Sequence, residues 1–221
     1  MSAWRLSLRL LRRDWRSGEL YLLSAALVLT VAAITAVGFF TDRIEGAMQR
    51  QGGELIAADL VVDASSRIPN EIADEAERRG LATARTLTFR SVVLAGDDSQ
   101  LVEVKAVDDA YPLRGELRLQ ATADGPEQPT EAAPGAAATW VEPRLLYVLG
   151  AAVGDQLQLG EQGFKMTRLI AYEPDRGGNF FQIAPRVMIG LDSVATTGLV
   201  TEASRVRHRL LIAGDIAAID G

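Results

Sequence analysis

The sequence contains no cysteine and a single histidine, His208, in its 221 residues. The lack of cysteine excludes disulfide bonds, thiolate metal ligands, a cysteine nucleophile and an acylated lipoprotein cysteine. A single histidine argues against a histidine-based metal site. The basic run Arg205–Arg209 also disfavours His208 as a general base, because its positive charges oppose the uptake of a proton by the ring. No serine lies in a Gly-x-Ser-x-Gly motif. We therefore predict a non-catalytic protein, with His208 at an exposed strand position.

A phosphate-binding loop is also absent, because the chain has no Gly-Lys dipeptide. The chain therefore cannot be its own ATPase, and we expect no cofactor. Two acidic pairs, Asp97-Asp98 and Asp108-Asp109, are weak candidates for a metal site or a carboxylate pair. The first pair falls in a predicted turn, and adjacent strand residues point to opposite faces, so we assign catalysis to neither.

The charge is distributed unevenly along the chain. The net charge is −6, but the first 19 residues hold five arginines against Asp14 and Glu19, which gives them +3 and leaves −9 for the rest. An acidic body repels phosphate backbones, so we expect no nucleic-acid partner. The contents of apolar residues, 48%, and of charged residues, 24%, are those of a folded protein.

An uncharged apolar run covers Leu20–Phe40. As a helix it would be about 31 Å long, which matches the hydrocarbon core of a bilayer. Five arginines precede the run and only Arg43 and Arg50 follow it closely, so the N-terminus is predicted to be cytoplasmic and everything after Phe40 to lie outside the cytoplasm. The alternative is a signal peptide cleaved after Ala36–Gly38, but the run is longer than a usual signal-peptide core, which favours a retained anchor.

Four apolar residues before this run share one helical stripe: Trp4, Leu8, Leu11 and Trp15. A neighbouring stripe is basic and holds Arg5, Arg9, Arg12 and Arg16. This pattern predicts a helix lying in the headgroup layer, with membrane lipid as its partner and the tryptophans at the membrane interface. An ordinary basic flank that only orients the membrane span is the alternative interpretation.

The rest of the chain consists of short strands and helices without long crossover helices. We therefore predict an α+β fold, in which a transmembrane helix and a stalk precede a mixed, mainly antiparallel extracytoplasmic domain. The first three predicted segments are a cytoplasmic amphipathic basic segment at 1–19, a transmembrane helix at 20–40 and a stalk helix at 41–53 that ends at Gly52-Gly53. The next three are an α+β lobe at 54–122, a Pro/Ala-rich loop or linker at 123–138 and a second β-rich part at 139–221. The Pro/Ala-rich segment has too few large apolar residues to form a packed element.

Local patterns place the elements within these segments. Pro69 and Gly80 bound a helix at about Asn70–Arg79, and turn residues between Leu94 and Gln100 predict a hairpin. The other predicted elements are strands at 59–64, 156–159, 164–172, 185–190 and about 204–212, a helix at 143–149 and a helical turn at 191–197.

Two loops are candidate contact sites for a partner or cargo. The first, Asp109–Gly115, presents Tyr111, Pro112 and Arg114 after a strand, and a turn whose tyrosine packs inward is the alternative. The second, Glu173–Gln182, combines a double glycine with two phenylalanines, of which one could instead be a buried anchor. Its candidate residues are Gly177, Gly178, Asn179, Phe180 and Phe181.

Several short sequence motifs, taken in their order along the chain, resemble those of a known family. They are Thr41–Glu45, Val104–Gly115 with its Tyr-Pro-Leu-x-Gly, Pro143–Leu146, Val153–Asp155 and Ala184–Met188 with its Ala-Pro-Arg-Val. Together they make the chain resemble the FtsX/LolC/MacB type of ABC transporter permease, and within it the YbbP-like branch. The resemblance covers most of the chain and implies a domain similar to the MacB-like periplasmic core.

The resemblance also implies a function. It implies a non-catalytic permease subunit of the bacterial inner membrane, which pairs with a separate cytoplasmic ATPase that binds the ATP and which handles lipophilic or lipid-linked cargo by mechanotransmission. A periplasmic lysophospholipase or thioesterase is a further implied partner. Such permeases carry several more spans after the outward domain, so we expect this chain to be an amino-terminal fragment, and no residue is assigned to the ATPase contact.

Two other functions stay open at this point. One is a single-pass, membrane-anchored periplasmic binding or adaptor module that holds a soluble partner. The other is an anchored hydrolase, which is the weaker hypothesis because the sequence offers no nucleophile and base.

Overall fold

The computed structural model describes residues 19–130, 132–176, 184–201, 204–215 and 218. The chain divides into two compact units, residues 1–50 and 51–221. Every strand of the described residues lies in the second unit.

The first long element is helix α1, Glu19–Ile56. Its segment Tyr21–Thr41 has 21 residues and a mean hydropathy of 2.3, and none of it is buried within the described protein. This segment is long and apolar enough to span a membrane, which confirms the predicted N-terminal apolar helix. The prediction that the helix ends at Gly52-Gly53 is wrong, because α1 runs on to Ile56. A glycine inside a helix costs only about 1 kcal/mol, so it does not by itself end one.

The second unit combines ten strands with two short helices and three 3₁₀ turns in its described part. The strands are β1 Leu60–Ala64, β2 Ala82–Ala95, β3 Asp98–Val107, β4 Leu117–Gln120, β5 Gln128–Thr130, β6 Ala138–Val141, β7 Gln156–Leu159, β8 Gln162–Tyr172, β9 Arg186–Gly190 and β10 Arg207–Ala213. The helices are α2 Asn70–Arg78 and α3 Pro143–Leu149, and the 3₁₀ turns are Pro174–Arg176, Leu191–Ser193 and Ala195–Thr197.

The strands form one sheet in the order β1-β10-β2-β3-β9-β6-β8-β4-β5. Only β3–β9 and β6–β8 are parallel among the described pairs, which confirms a mixed, mainly antiparallel α+β fold. Strand β7 pairs with both β2 and β8, so the path β2-β3-β9-β6-β8-β7 returns to its start as a closed ring. Closure protects strand edges that would otherwise be exposed.

All strands of this ring contribute to the largest buried apolar cluster. Phe164 of β8 is fully buried in it, and α3 adds Leu145 and Leu149. Helix α2 packs elsewhere, with Ala73 and Ala76 in a smaller cluster that includes Leu210 of β10.

Most predicted elements are present, with small differences at their ends. The final strand begins at Arg207 rather than at 204, and a short strand, β5, lies in the Pro/Ala-rich segment for which the composition predicts a loop. Strands from before and after that segment share the sheet, as in the pairs β3–β9 and β2–β10. Apart from the end of the stalk helix, the predicted segment boundaries stay a prediction.

Candidate functional site

A cluster of four charged side chains and one tyrosine is buried on one side of the sheet. It consists of Lys105, Tyr111, Glu173, Asp175 and Arg186, and we call it the buried charge cluster. Burying a charge costs several kcal/mol unless an opposite charge and hydrogen bonds compensate for it. Each charge in the cluster has such a partner, so the cluster fixes the relative positions of the segments that supply it.

Lys105 of β3 lies at the centre of the cluster. Its Nζ donates to Oη of Tyr111 at 2.7 Å, to Oε1 of Glu173 at 2.8 Å and to Oδ1 of Asp175 at 2.6 Å. The tyrosine hydroxyl donates in turn to Oδ1 of Asp175. An ammonium group has three donors, so Lys105 is fully used.

Arg186 of β9 completes the cluster on the other side of Glu173. Its Nε lies 2.9 Å from Oε2 of Glu173, and its Nη1 lies 2.9 Å from Oε2 of Glu103. Burial by itself raises the pKa of Glu173, but the charges of Lys105 and Arg186 outweigh burial and lower this pKa to about 2. Burial, reinforced by Glu173 and Asp175, raises the pKa of Tyr111 well above its ordinary value. Glu173 is therefore ionised and Tyr111 protonated at neutral pH.

The carboxylate of Glu142 contacts residues on both sides of the segment 177–183. Its Oε2 lies 2.8 Å from Nη2 of Arg176 and 3.0 Å from Nε of Arg144, and it also accepts the backbone N–H of Arg186 at 3.0 Å. Arg144 Nη2 donates to the carbonyl of Ala184 at 3.0 Å. The residues on both sides of this segment are thus held in place by one group of charges.

Part of this arrangement was predictable from the sequence. Glu173, Asp175 and Arg176 belong to the predicted contact loop Glu173–Gln182, and Arg186 belongs to the Ala-Pro-Arg-Val motif. No role was predicted for Lys105, although it lies in the Val104–Gly115 motif and is the one lysine of β3. The predicted contact residues Gly177, Gly178, Asn179, Phe180 and Phe181 lie outside the described residues, as do the predicted interface residues Trp4, Leu8, Leu11 and Trp15.

The other predicted contact loop contacts the residues that directly follow α1. Tyr111 is only 1% exposed, so its ring packs inward instead of being presented at the surface, and it is followed by a cis bond to the half-buried Pro112. Arg114 is exposed, and its Nε and Nη2 bind both carboxylate oxygens of Asp59, at 3.0 and 2.6 Å.

Backbone contacts join this loop to the residues directly after α1. The N–H groups of Leu113 and Arg114 both donate to the carbonyl of Ala57, each at 3.0 Å. Ala57 is fully buried and has a positive φ of 59°. We call Ala57, Asp59, Leu113 and Arg114 the helix junction.

The remaining candidates show no arrangement for catalysis in the described ranges. His208 is half-buried rather than exposed, and burial followed by the charge of Arg67 lowers its pKa. Within the part of the chain that the structure describes, no group of three or more histidine or acidic residues is placed to hold a metal ion.

The chain is 37% identical over 209 residues, 95% of its length, to the uncharacterized ABC transporter permease YbbP of Escherichia coli strain K12. The chain is similar to an ABC transporter permease. This match confirms the resemblance predicted from the sequence motifs. The chain spans 25% of the length of that permease. No protein-family model matches the chain.

Two solved structures match this chain over most of its length at low sequence identity. The periplasmic region of MacB from Actinobacillus actinomycetemcomitans matches 71% of this chain and 75% of its own, with 8% identity and a TM-score of 0.44. The extracellular domain of the ABC-type transporter YknZ from Gram-positive bacteria matches 72% of this chain and 85% of its own, with 7% identity and a TM-score of 0.48. Both TM-scores are below 0.5, so the fold class rests on the sheet topology itself.

Proposed function

We propose that this chain is the membrane-spanning helix and extracytoplasmic domain of an ABC transporter permease, which works with a separate cytoplasmic ATPase. The observation that carries the proposal is the 37% identity to a permease over 95% of the chain. The apolar segment Tyr21–Thr41 supports a membrane location. The sequence has no Gly-Lys dipeptide, so ATP binding is assigned to the partner subunit.

The direct test is affinity purification of the protein, tagged at its native gene and extracted in a mild detergent. We expect an ABC ATPase to be recovered in comparable molar amount. The alternative function is a single-pass, membrane-anchored periplasmic binding or adaptor module. A stable complex with a periplasmic protein and no ATPase would contradict the permease proposal and favour the adaptor.

We also propose how the chain is oriented and in which membrane it lies. The excess of arginine before the apolar segment favours a cytoplasmic N-terminus and a periplasmic sheet domain in a bacterial inner membrane. Membrane lipid would then contact both the apolar segment and the basic N-terminal stripe.

We further propose mechanotransmission: the nucleotide cycle of the ATPase moves α1, and the sheet domain follows it. The helix junction supports this step, because hydrogen bonds from Leu113 and Arg114 tie the first residue after α1 to the domain. The cargo proposed on the resemblance is lipophilic or lipid-linked. A periplasmic lysophospholipase or thioesterase is proposed as a further partner, and it should be recovered in the same affinity purification.

A further inference from the structure

A cleft of about 570 Å³ opens on the face of the sheet that carries α2. It lies between the chain segment before α2, the first half of β2, the 3₁₀ turns that follow β9, and β10. Its apolar floor is formed by the buried side chains of Ile68, Leu87 and Val194. This volume is in the range of small-molecule sites.

The polar side of the cleft is mainly basic. It holds Arg67, Arg85 and His208, with Asn70 and one acid, Asp192. Nη1 of Arg85 donates to the carbonyl of Ile68 at 3.2 Å, which fixes the guanidinium beside the floor. The carboxylate of Asp108 is engaged by the backbone N–H of Arg85, not by its guanidinium. Among the described residues, neither Arg67 nor Arg85 has a carboxylate in ion-pair contact.

The fourth basic residue at the cleft, Arg209, is already paired. Its side chain reaches Asp63 at 3.1 Å and Asp175 at 3.6 Å. His208 and Leu87, which are paired in register, point to the face opposite that of Arg209. Within the described residues, the cleft thus contains two guanidinium groups that form no ion pair with a carboxylate, in a body with a net negative charge.

We infer that this cleft binds a phosphate monoester that carries an apolar group. Guanidinium groups bind phosphate oxygens through paired, charge-assisted hydrogen bonds, so Arg67 and Arg85 would hold the phosphate. The apolar group would cover Ile68, Leu87 and Val194, and His208 would lie beside the phosphate. Burial and then the charge of Arg67 lower the pKa of His208, so an anion bound between these side chains should raise that pKa. This inference does not depend on an ATPase partner.

The single histidine of the chain makes a direct experiment available. The full chain, labelled with ¹⁵N only at histidine and held in a neutral detergent, is titrated at constant ionic strength with inorganic phosphate and separately with decyl phosphate. The ring signals of His208 should shift to saturation, with decyl phosphate saturating at a concentration at least about tenfold lower. Arg67→Gln and Arg85→Gln should each weaken binding about tenfold or more. Arg78→Gln, which removes an exposed arginine of α2, is the matched control and should not.

Each outcome decides the inference. Equal saturation by both probes would identify a site for free phosphate and overturn the apolar half of the inference. A shift that never saturates, or one that persists in both Arg67→Gln and Arg85→Gln, would overturn all of it. Arg67 is exposed, so the variant at that position tests binding even if Arg85→Gln fails to fold.

Discussion

Lys105 and Glu173 form a buried ion pair, with Nζ of the lysine 2.8 Å from Oε1 of the glutamate and their side chains 3% and 0% exposed. The pair joins the C-terminal end of β3 to the chain directly before the 3₁₀ turn Pro174–Arg176. Removing one partner of such a pair leaves an uncompensated buried charge, which costs more than the pair itself contributes.

Replacing the lysine should therefore destabilise the domain strongly. We expect Lys105→Met to lower the free energy of unfolding by about 3–5 kcal/mol, because Glu173 and Asp175 then lose their shared cation. Denaturant unfolding followed by circular dichroism measures this loss. The only other lysine, Lys165, is exposed on β8, so Lys165→Met is a matched control that should change stability by less than about 0.5 kcal/mol. Equal effects of the two substitutions would contradict the described cluster.

The stabilisation by Glu173 should depend on pH in one direction. Its pKa is lowered on folding from 4.5 to about 2, so its contribution is complete above pH 4.5 and is lost as the pH falls towards 2. The difference in unfolding free energy between the wild type and Glu173→Gln should then shrink between pH 6 and pH 3. Glu116→Gln, at a side chain 63% exposed, should show no comparable trend. A difference that stays constant over this range would show that Glu173 is not held ionised by the cluster.

The helix junction can be weakened without unfolding the domain. Arg114→Ala removes a partly exposed ion pair with Asp59, which should cost no more than about 1 kcal/mol. If the junction transmits movement, the variant should lower ATP hydrolysis by the purified permease–ATPase complex in phospholipid vesicles at least about twofold, at unchanged complex yield. The control is Arg118→Ala on β4. Arg118 forms only long ion pairs, 3.5 Å to Glu116 and 3.7 Å to Glu127, so its removal should leave the rate of ATP hydrolysis unchanged. Equal rates in both variants would exclude the junction from coupling.

Phe180 and Phe181 of the predicted contact loop Glu173–Gln182 remain a predicted contact site. Changing Phe180 and Phe181 together to serine should leave membrane insertion and thermal unfolding unchanged while weakening recovery of a periplasmic partner. Loss of folding would instead show that the two rings are core.

Turn residues, helix-start residues and apolar runs predicted those elements whose formation depends on neighbouring residues in the sequence. The hairpin of β2 and β3 follows from β-forming runs around the turn at Gly96, which has a positive φ of 60°, and α2 follows from Pro69 and Gly80. The apolar segment of α1 was equally visible, because an uncharged run of this length matches the thickness of a bilayer.

Contacts between distant residues were not predictable in this way. The closure of the ring by β7 depends on pairing Leu94 with Gln158, and no local pattern specifies such a partner. The contact of Lys105 with Asp175 spans 70 residues, so the lysine could only be noticed as an exception in an apolar strand. The inward position of Tyr111 likewise depends on the acids that it meets in the folded chain.

We expect the sheet domain to lie on the opposite side of the membrane from the N-terminus, and single-cysteine labelling can measure this. The chain has no native cysteine, so Ser2→Cys and Tyr147→Cys each introduce one thiol, the second at a side chain 78% exposed on α3. With a membrane-impermeant maleimide, spheroplasts should label Tyr147→Cys at once and Ser2→Cys only after lysis. The reverse pattern, or labelling of both before lysis, would contradict an extracytoplasmic domain anchored by α1.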